Sequence, residues 1–283
     1  MNAELIFDAK ATLGEGPVWD TKSQTLYWVD ILEKRIYAGT ELFLQLDDLI
    51  GCFALARNGH FILGMRASFV DFDPATSQQT VLVALTDPAR NRMNDGKCDP
   101  AGRFIAGTMD MDEKAATGSL YSLSGDQLKT LYRGVTISNG LAWSPDYKTL
   151  YYIDTPSHEV KAFDYDVQTG EIANQRVAFH IPKSLGWPDG MTSDMQGNLW
   201  IAMWGGAQVT RWNPNSGQLL EQIPVPAFQP SSCIFGGKDM DKLFITSARK
   251  EMSEANLKKY PFSGGLFRVD TNVEGMPSFE FAS

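Results

Sequence analysis

Asn139-Gly140-Leu141-Ala142-Trp143, followed across a Pro145-Asp146 turn by Thr149-Leu150-Tyr151-Tyr152-Ile153-Asp154, is one of six similar units along the chain. In each unit a short apolar segment of strand type comes after a tight polar or glycine-containing turn, and a second strand-like run follows. The other five openings are Glu15-Gly16-Pro17-Val18-Trp19, Gly51-Cys52-Phe53-Ala54-Leu55, Asp95-Gly96-Lys97-Cys98, Asp189-Gly190-Met191-Thr192 and Ser232-Cys233-Ile234-Phe235. Gly16, Cys52, Gly96, Gly140, Gly190 and Ser232 mark equivalent points, spaced 36 to 50 residues apart. A repeat of this length with about four strands per unit reads as a β-propeller. The expected fold is therefore all-β: a single six-bladed β-propeller domain over residues 1–283, with a central channel.

The second strands fit the same register: Thr25-Leu26-Tyr27-Trp28-Val29-Asp30, Phe61-Ile62-Leu63-Gly64, Phe104-Ile105-Ala106-Gly107, Asn198-Leu199-Trp200-Ile201-Ala202 and Lys242-Leu243-Phe244-Ile245-Thr246. They are rich in β-branched and aromatic residues, and turn pairs such as Asn58-Gly59 and Gln196-Gly197 precede them. No period of 3.6 residues persists long enough to demand a substantial helix. A ring must close, because open first and last blades would leave unpaired strand edges. The run Glu4-Leu5-Ile6-Phe7-Asp8 is therefore expected to complete the last blade beside Ser278 to Phe281. Three stretches break the repeat and are expected to loop over the channel mouth: Met109 to Thr117, Pro182 to Trp187, and Lys250 to Ser263, the last containing one short helical turn.

A hydrophobic fraction of 43% supplies material for a sizeable core, and a formal net charge of −9 argues against nucleic acid or an anionic membrane as partner. The opening Met-Asn-Ala-Glu-Leu-Ile-Phe-Asp lacks a positive n-region and a long apolar core, and no run approaches the length of a membrane span. Cys52, Cys98 and Cys233 cannot all pair, and each sits in an inner-strand segment. They read as small buried hydrophobes in a reducing compartment, and the expected location is cytoplasmic.

Chemistry narrows to one set of residues. The chain has no Gly-x-Ser-x-Gly elbow, no phosphate-binding Walker loop and no Cys-x-x-Cys, and its three histidines, His60, His158 and His180, are scattered. Glu15, Asn139 and Asp189, in contrast, each directly precede a glycine at equivalent positions of distant repeats. An acid or amide before glycine ordinarily makes a turn. In a propeller, however, three in register point toward the axis at one end. Two carboxylates packed there without a cation would repel, and one would have to take up a proton. A divalent metal resolves this; all-oxygen ligands favour Ca²⁺, Mg²⁺ or Mn²⁺, with Zn²⁺ and Fe²⁺ also admitted. Three protein ligands leave coordination positions open for water and substrate. The third unit departs from the pattern, reading Arg92-Met93-Asn94-Asp95-Gly96, with Asn94 one residue before the aligned position. A cation and an amide at the rim suit the hydroxyl or oxyanion groups of a polar ligand. Asp30 and Asp154, which end second strands, read as turn residues.

Several motifs resemble those of the SMP-30/gluconolactonase/regucalcin-like family: Leu13-Gly14-Glu15-Gly16-Pro17-Val18-Trp19, Arg92-Met93-Asn94-Asp95-Gly96-Lys97 with Asp99-Pro100-Ala101-Gly102-Arg103, Ile137-Ser138-Asn139-Gly140-Leu141, Pro188-Asp189-Gly190-Met191, Ser231-Ser232-Cys233-Ile234-Phe235-Gly236-Gly237 and Gly264-Gly265-Leu266-Phe267. The resemblance covers essentially the whole chain. It implies a divalent-metal site on Glu15, Asn139 and Asp189, substrate contacts from Arg92 and Asn94, and metal-dependent hydrolysis of a small-molecule sugar lactone to its aldonic acid. It also implies a sugar contact from Asp110, Asp112 or Glu113, without choosing among them. Asp189 is expected to serve as general base as well as ligand. Gly186-Trp187 before Pro188 prevents the family's sugar preference from being carried over.

Two other classes fit the same scaffold. A noncatalytic calcium-binding regulatory protein would bind metal without turnover. A phosphotriesterase or arylesterase would prefer those esters, yet the sequence places no pair of histidines near the axial turns. A monomer or weak homo-oligomer is expected.

Overall fold

A computed structural model describes residues 1–282 and forms six four-stranded antiparallel sheets. Five are built from consecutive strands, spanning residues 14–45, 50–84, 91–135, 138–180 and 187–224. The sixth takes three strands from 229–270 and its outermost strand from Glu4–Phe7. Inner strands Gly14–Asp20, Ile50–Leu55, Asn91–Cys98, Ser138–Trp143, Trp187–Ser193 and Gln229–Gly236 pack each on the next, and the sixth packs on the first. The result is a six-bladed β-propeller around a central channel. The only α-helix among the described residues is Glu254–Lys259, capped by the Ser253 hydroxyl accepting from the Asn256 amide at 3.2 Å.

Alternating strands bury apolar residues on both faces, and neighbouring blades share them. Trp200 and Phe235 meet edge-to-face at 5.4 Å between blades five and six, and Phe69 meets Phe104 at 5.7 Å between blades two and three. Full burial of each such side chain contributes about 1.5–3 kcal/mol. Gly140 and Gly190 answer to this packing, whereas Gly16 sits at φ +49° with only ordinary van der Waals contacts around it. A Cβ at Gly140 would lie 2.7 Å from Ile153 Cδ1 and 2.8 Å from the Asp189 carbonyl oxygen; one at Gly190 would lie 2.1 Å from Ser232 Oγ. Only glycine lets the inner strands approach this closely around the axis.

Ring closure follows the expected strand but not the expected neighbour. Glu4–Phe7 pairs antiparallel with Leu266–Asp270, Leu5 lying opposite Phe267. Residues Ser278 to Phe281 instead cross the far end of the propeller. There the Phe281 amide donates to the Leu55 carbonyl at 2.8 Å, the Arg57 amide to the Phe281 carbonyl at 3.0 Å, and the Ala282 amide to the Gly102 carbonyl at 2.8 Å. Phe281, 2% exposed, packs with Cys52, Met93 and Phe104. Burying that phenyl ring outweighs a place on an exposed sheet edge. Cys52, Cys98 and Cys233 are all buried and unpaired.

Candidate functional site

Each inner strand starts at the same end of the channel, and each loses register with its neighbour within its first residues. The irregularities lie between Glu15 and Val18, Ile50 and Cys52, Met93 and Gly96, Asn139 and Leu141, Pro188 and Met191, and Pro230 and Ser232. Such bulges turn a side chain off the sheet face. In blades one, four and five the residues so turned are Glu15, Asn139 and Asp189, and all three line one cavity of about 390 Å³. Blade two offers Gly51 at this position, with no side chain, and blade six offers Ser231, whose hydroxyl is taken by the Gly14 carbonyl at 2.5 Å. In blade three Asn94 reaches the cavity, while Asp95 lies deeper in the channel with Lys97.

A directional chain of hydrogen bonds orients these groups. Arg92 Nη1 donates to the Met93 carbonyl at 2.8 Å and to Asn94 Oδ1 at 2.7 Å. With its oxygen occupied, Asn94 turns Nδ2 toward the Ser138 carbonyl at 2.7 Å and Asn139 Oδ1 at 2.9 Å. Asn139 Nδ2 donates to Thr155 Oγ1 at 2.8 Å, and Thr155 Oγ1 donates to the Pro188 carbonyl at 2.8 Å, next to Asp189. Glu15 Oε2 accepts from the Gly16 amide at 3.1 Å. Asp189 Oδ1 is buried with no partner at all.

The electrostatics are unbalanced toward negative charge. Burial first, then Asp95, pushes the Glu15 carboxyl well above the ordinary carboxylate range. Burial first, then Glu15 and Asp95, raises Asp189 further, with Arg92 opposing. Arg92 itself is pulled down, mainly by burial. Two desolvated carboxylates in one cavity are stable together only if one is protonated or a cation lies between them. The donor set of two carboxylates and one amide oxygen is hard, and the unpartnered Asp189 Oδ1 is a free lone-pair site, so these residues fit a divalent cation. No group of three or more His, Cys, Asp or Glu side chains among the described residues is otherwise arranged for a metal.

All three irregular loops reach the mouth: Met109 and Glu113 from the first, Trp187 from the second, Lys250 and Glu251 from the third line the cavity. Lys250 Nζ donates to Glu113 Oε1 at 2.5 Å, linking two of the loops. Among the three acids left open by the sequence, Glu113 alone lines the cavity. Asp110 is wholly buried, its carboxylate accepting from the Asp112, Lys114 and Ala115 amides. Asp30 and Asp154 serve the backbone as expected, accepting from Leu13 and Ile137 amides at 3.0 and 2.9 Å. Thr155, Trp204 and Gln229 line the cavity without any sequence signal beyond their nearness to strand starts.

Comparisons with known proteins agree with this geometry. Residues 13–249 match the family described as SMP-30/Gluconolactonase/LRE-like region. Regucalcin of Danio rerio is 38% identical over 292 residues, covering 99% of this chain and 98% of that protein. Among solved structures, a luciferin-regenerating enzyme superposes with a TM-score of 0.92 at 32% identity, covering 99% of each chain. A calcium-binding regucalcin from Agrobacterium tumefaciens superposes with a TM-score of 0.91 at 27% identity, covering 98% of this chain and 96% of that one.

Proposed function

We propose, since the chain belongs to the SMP-30/gluconolactonase/LRE-like family, that it hydrolyses a sugar lactone to the aldonic acid with a divalent cation held by Glu15, Asn139 and Asp189. The supporting observation is the pairing of two buried carboxylates with an unpartnered Asp189 Oδ1 in a cavity that also presents a guanidinium and an amide. When bound, the cation would polarise the lactone carbonyl and offset the negative charge that grows on its oxygen.

The chain's own residues do the rest. Arg92, through its remaining N–H groups, and Asn94, through the second lone pair of Oδ1, hold ring hydroxyls and so aim the carbonyl at the cavity floor. The Asp189 carboxylate takes a proton from the attacking water, on the oxygen not turned to the cation, as the new carbon–oxygen bond forms. The ring ester bond then breaks, and the same proton passes to the departing ring oxygen, giving the open hydroxy acid.

Small-molecule turnover, with no nucleic acid or membrane partner, fits a concave acidic site; no helix among the described residues is long and apolar enough to cross a membrane. The unpaired, buried Cys52, Cys98 and Cys233 support a reducing, cytoplasmic setting. The whole chain would act as one domain, as a monomer or weak homo-oligomer. A noncatalytic calcium-binding role is the second reading, supported by the name of the Agrobacterium relative. No histidine lines the cavity, so phosphotriester hydrolysis gains no support.

A pH-indicator assay over a panel of aldonolactones, after chelation and add-back of Ca²⁺, Mg²⁺, Mn²⁺, Zn²⁺ or Fe²⁺, tests the proposal. Metal-dependent turnover that Asp189→Ala abolishes is the expected result. Metal binding without turnover of any lactone favours the regulatory reading, and full activity in Asp189→Ala removes the mechanism.

A further inference from the structure

The cavity is larger than one sugar ring needs. A hexonolactone at protein-like packing density fills roughly half of its 390 Å³. The reaction proposed above uses the floor and the blade-three side. Blades five and six supply a wall that it leaves idle.

That wall is aromatic and carries one unanswered acceptor. Trp187 and Trp204 sit directly opposite each other on adjacent antiparallel strands, so their side chains share a sheet face, and both line the cavity. His158 braces Trp187, with ring centroids 4.5 Å apart. Both His158 ring nitrogens are buried without partners, so the imidazole acts as a packing surface. Trp187 is still 46% exposed and stands at the rim. Gln229, which lines the same cavity, is 7% exposed; its Nε2 donates to the Lys250 carbonyl at 3.2 Å, while its Oε1 is buried and accepts nothing. A buried carbonyl oxygen without a donor is costly unless a ligand supplies one, which here takes a turn of the Gln229 side chain toward the cavity the residue lines.

We propose that this wall is a second subsite holding a further sugar ring, which makes the substrate class a glycosyl-substituted aldonolactone; this rests on the lactonase reading. The C–H face of the added ring stacks on the Trp187 indole, and one of its hydroxyls donates to Gln229 Oε1. The lactone it is attached to lies deeper, at Asp189. A phosphate or carboxylate substituent is a poorer match, because Lys250, the cation at this wall, is already paired with Glu113.

The test uses the full-length, metal-loaded protein with glucono-1,5-lactone and cellobiono-1,5-lactone, comparing kcat/KM for the two. Wild type is expected to favour the disaccharide lactone. Trp187→Ala and Gln229→Ala should each lower the ratio of disaccharide to monosaccharide kcat/KM by about tenfold or more, chiefly through KM. Arg92→Ala should lower both substrates together. A wild-type ratio below one, or a ratio that both wall variants leave within about twofold of wild type, overturns the second subsite. Turnover of the monosaccharide lactone alone removes only this inference, whereas turnover of neither lactone with any metal removes the lactonase reading itself.

Discussion

Asn94 Nδ2 donates to Asn139 Oδ1 at 2.9 Å, joining blade three to a candidate ligand in blade four. Because Arg92 occupies the Asn94 oxygen, this amide can offer Asn139 only a donor. Asn139 must then present its own NH₂ to Thr155 and its oxygen toward the cavity. The ligand is oriented by its neighbours before any cation arrives, as second-layer contacts commonly arrange.

Thr155→Val removes the acceptor for Asn139 Nδ2 and the donor to the Pro188 carbonyl while keeping the side-chain volume. Affinity for Ca²⁺ or Mn²⁺, measured by titration calorimetry, should fall about 10–100-fold, and Thr155→Ser should restore most of it. Unchanged affinity in the valine variant would show that the hydrogen bonds merely stabilise the strand end.

Stability of the chelated protein should fall as pH rises. Glu15 and Asp189 have folded pKa values above their unfolded ones, so the native state holds protons that the unfolded chain releases. The cost is absent below the ordinary carboxylate range and grows through the window up to the raised values. Between about pH 5 and about pH 8 the melting temperature of chelated protein should therefore drop more than that of metal-loaded protein. Asp189→Asn should flatten this slope and raise the chelated protein's melting temperature at the upper end. A steeper slope in that variant would mean that other groups dominate.

Arg92→Ala is expected to raise KM far more than it lowers kcat. One charge-assisted contact to a substrate hydroxyl is worth about 1.5–3 kcal/mol, or roughly 10–150-fold in kcat/KM. Steady-state kinetics on the best aldonolactone decides this. A loss confined to kcat would place the guanidinium on the reacting oxygen instead.

Deleting residues 1–8 should destabilise the ring without touching the cavity. It strips the outer strand from blade six together with Phe7, which packs edge-on against Trp28 and Tyr37 at 6.5 and 6.2 Å. A loss of about 3–5 kcal/mol is expected, lowering the melting temperature by on the order of 10 °C in scanning calorimetry. A shift within error would mean that the C-terminal crossing closes the ring unaided.

The periodic features were legible in the sequence because they repeat. Glu15, Asn139 and Asp189 stand out as acids or amides before glycine at matching points, and the fold brings all three into one cavity. The mouth loops announced themselves by breaking the pattern. Thr155, Gln229 and the choice of Glu113 over Asp110 were hidden, since each depends on contacts that exist only once the chain is folded: Thr155 with the Asn139 amide and the Pro188 carbonyl, Gln229 with the Lys250 carbonyl, and Asp110 with amides of its own loop. The C-terminal residues misled for a related reason. Ser278 to Phe281 look like an edge strand, but the gap beneath Cys52 and Phe104 that accepts Phe281 is a property of two other blades.

Synthesis order gives the ring closure a temporal side. Leu5 emerges from the ribosome long before its partner Phe267 is made. Until then the first segment stays unpaired, and closing so long a loop is slow by comparison with forming any single hairpin. A nascent chain stalled before Leu266 would carry two open edges capable of joining another copy. The earliest of the propeller's strands in chain order is thus the one that locks last.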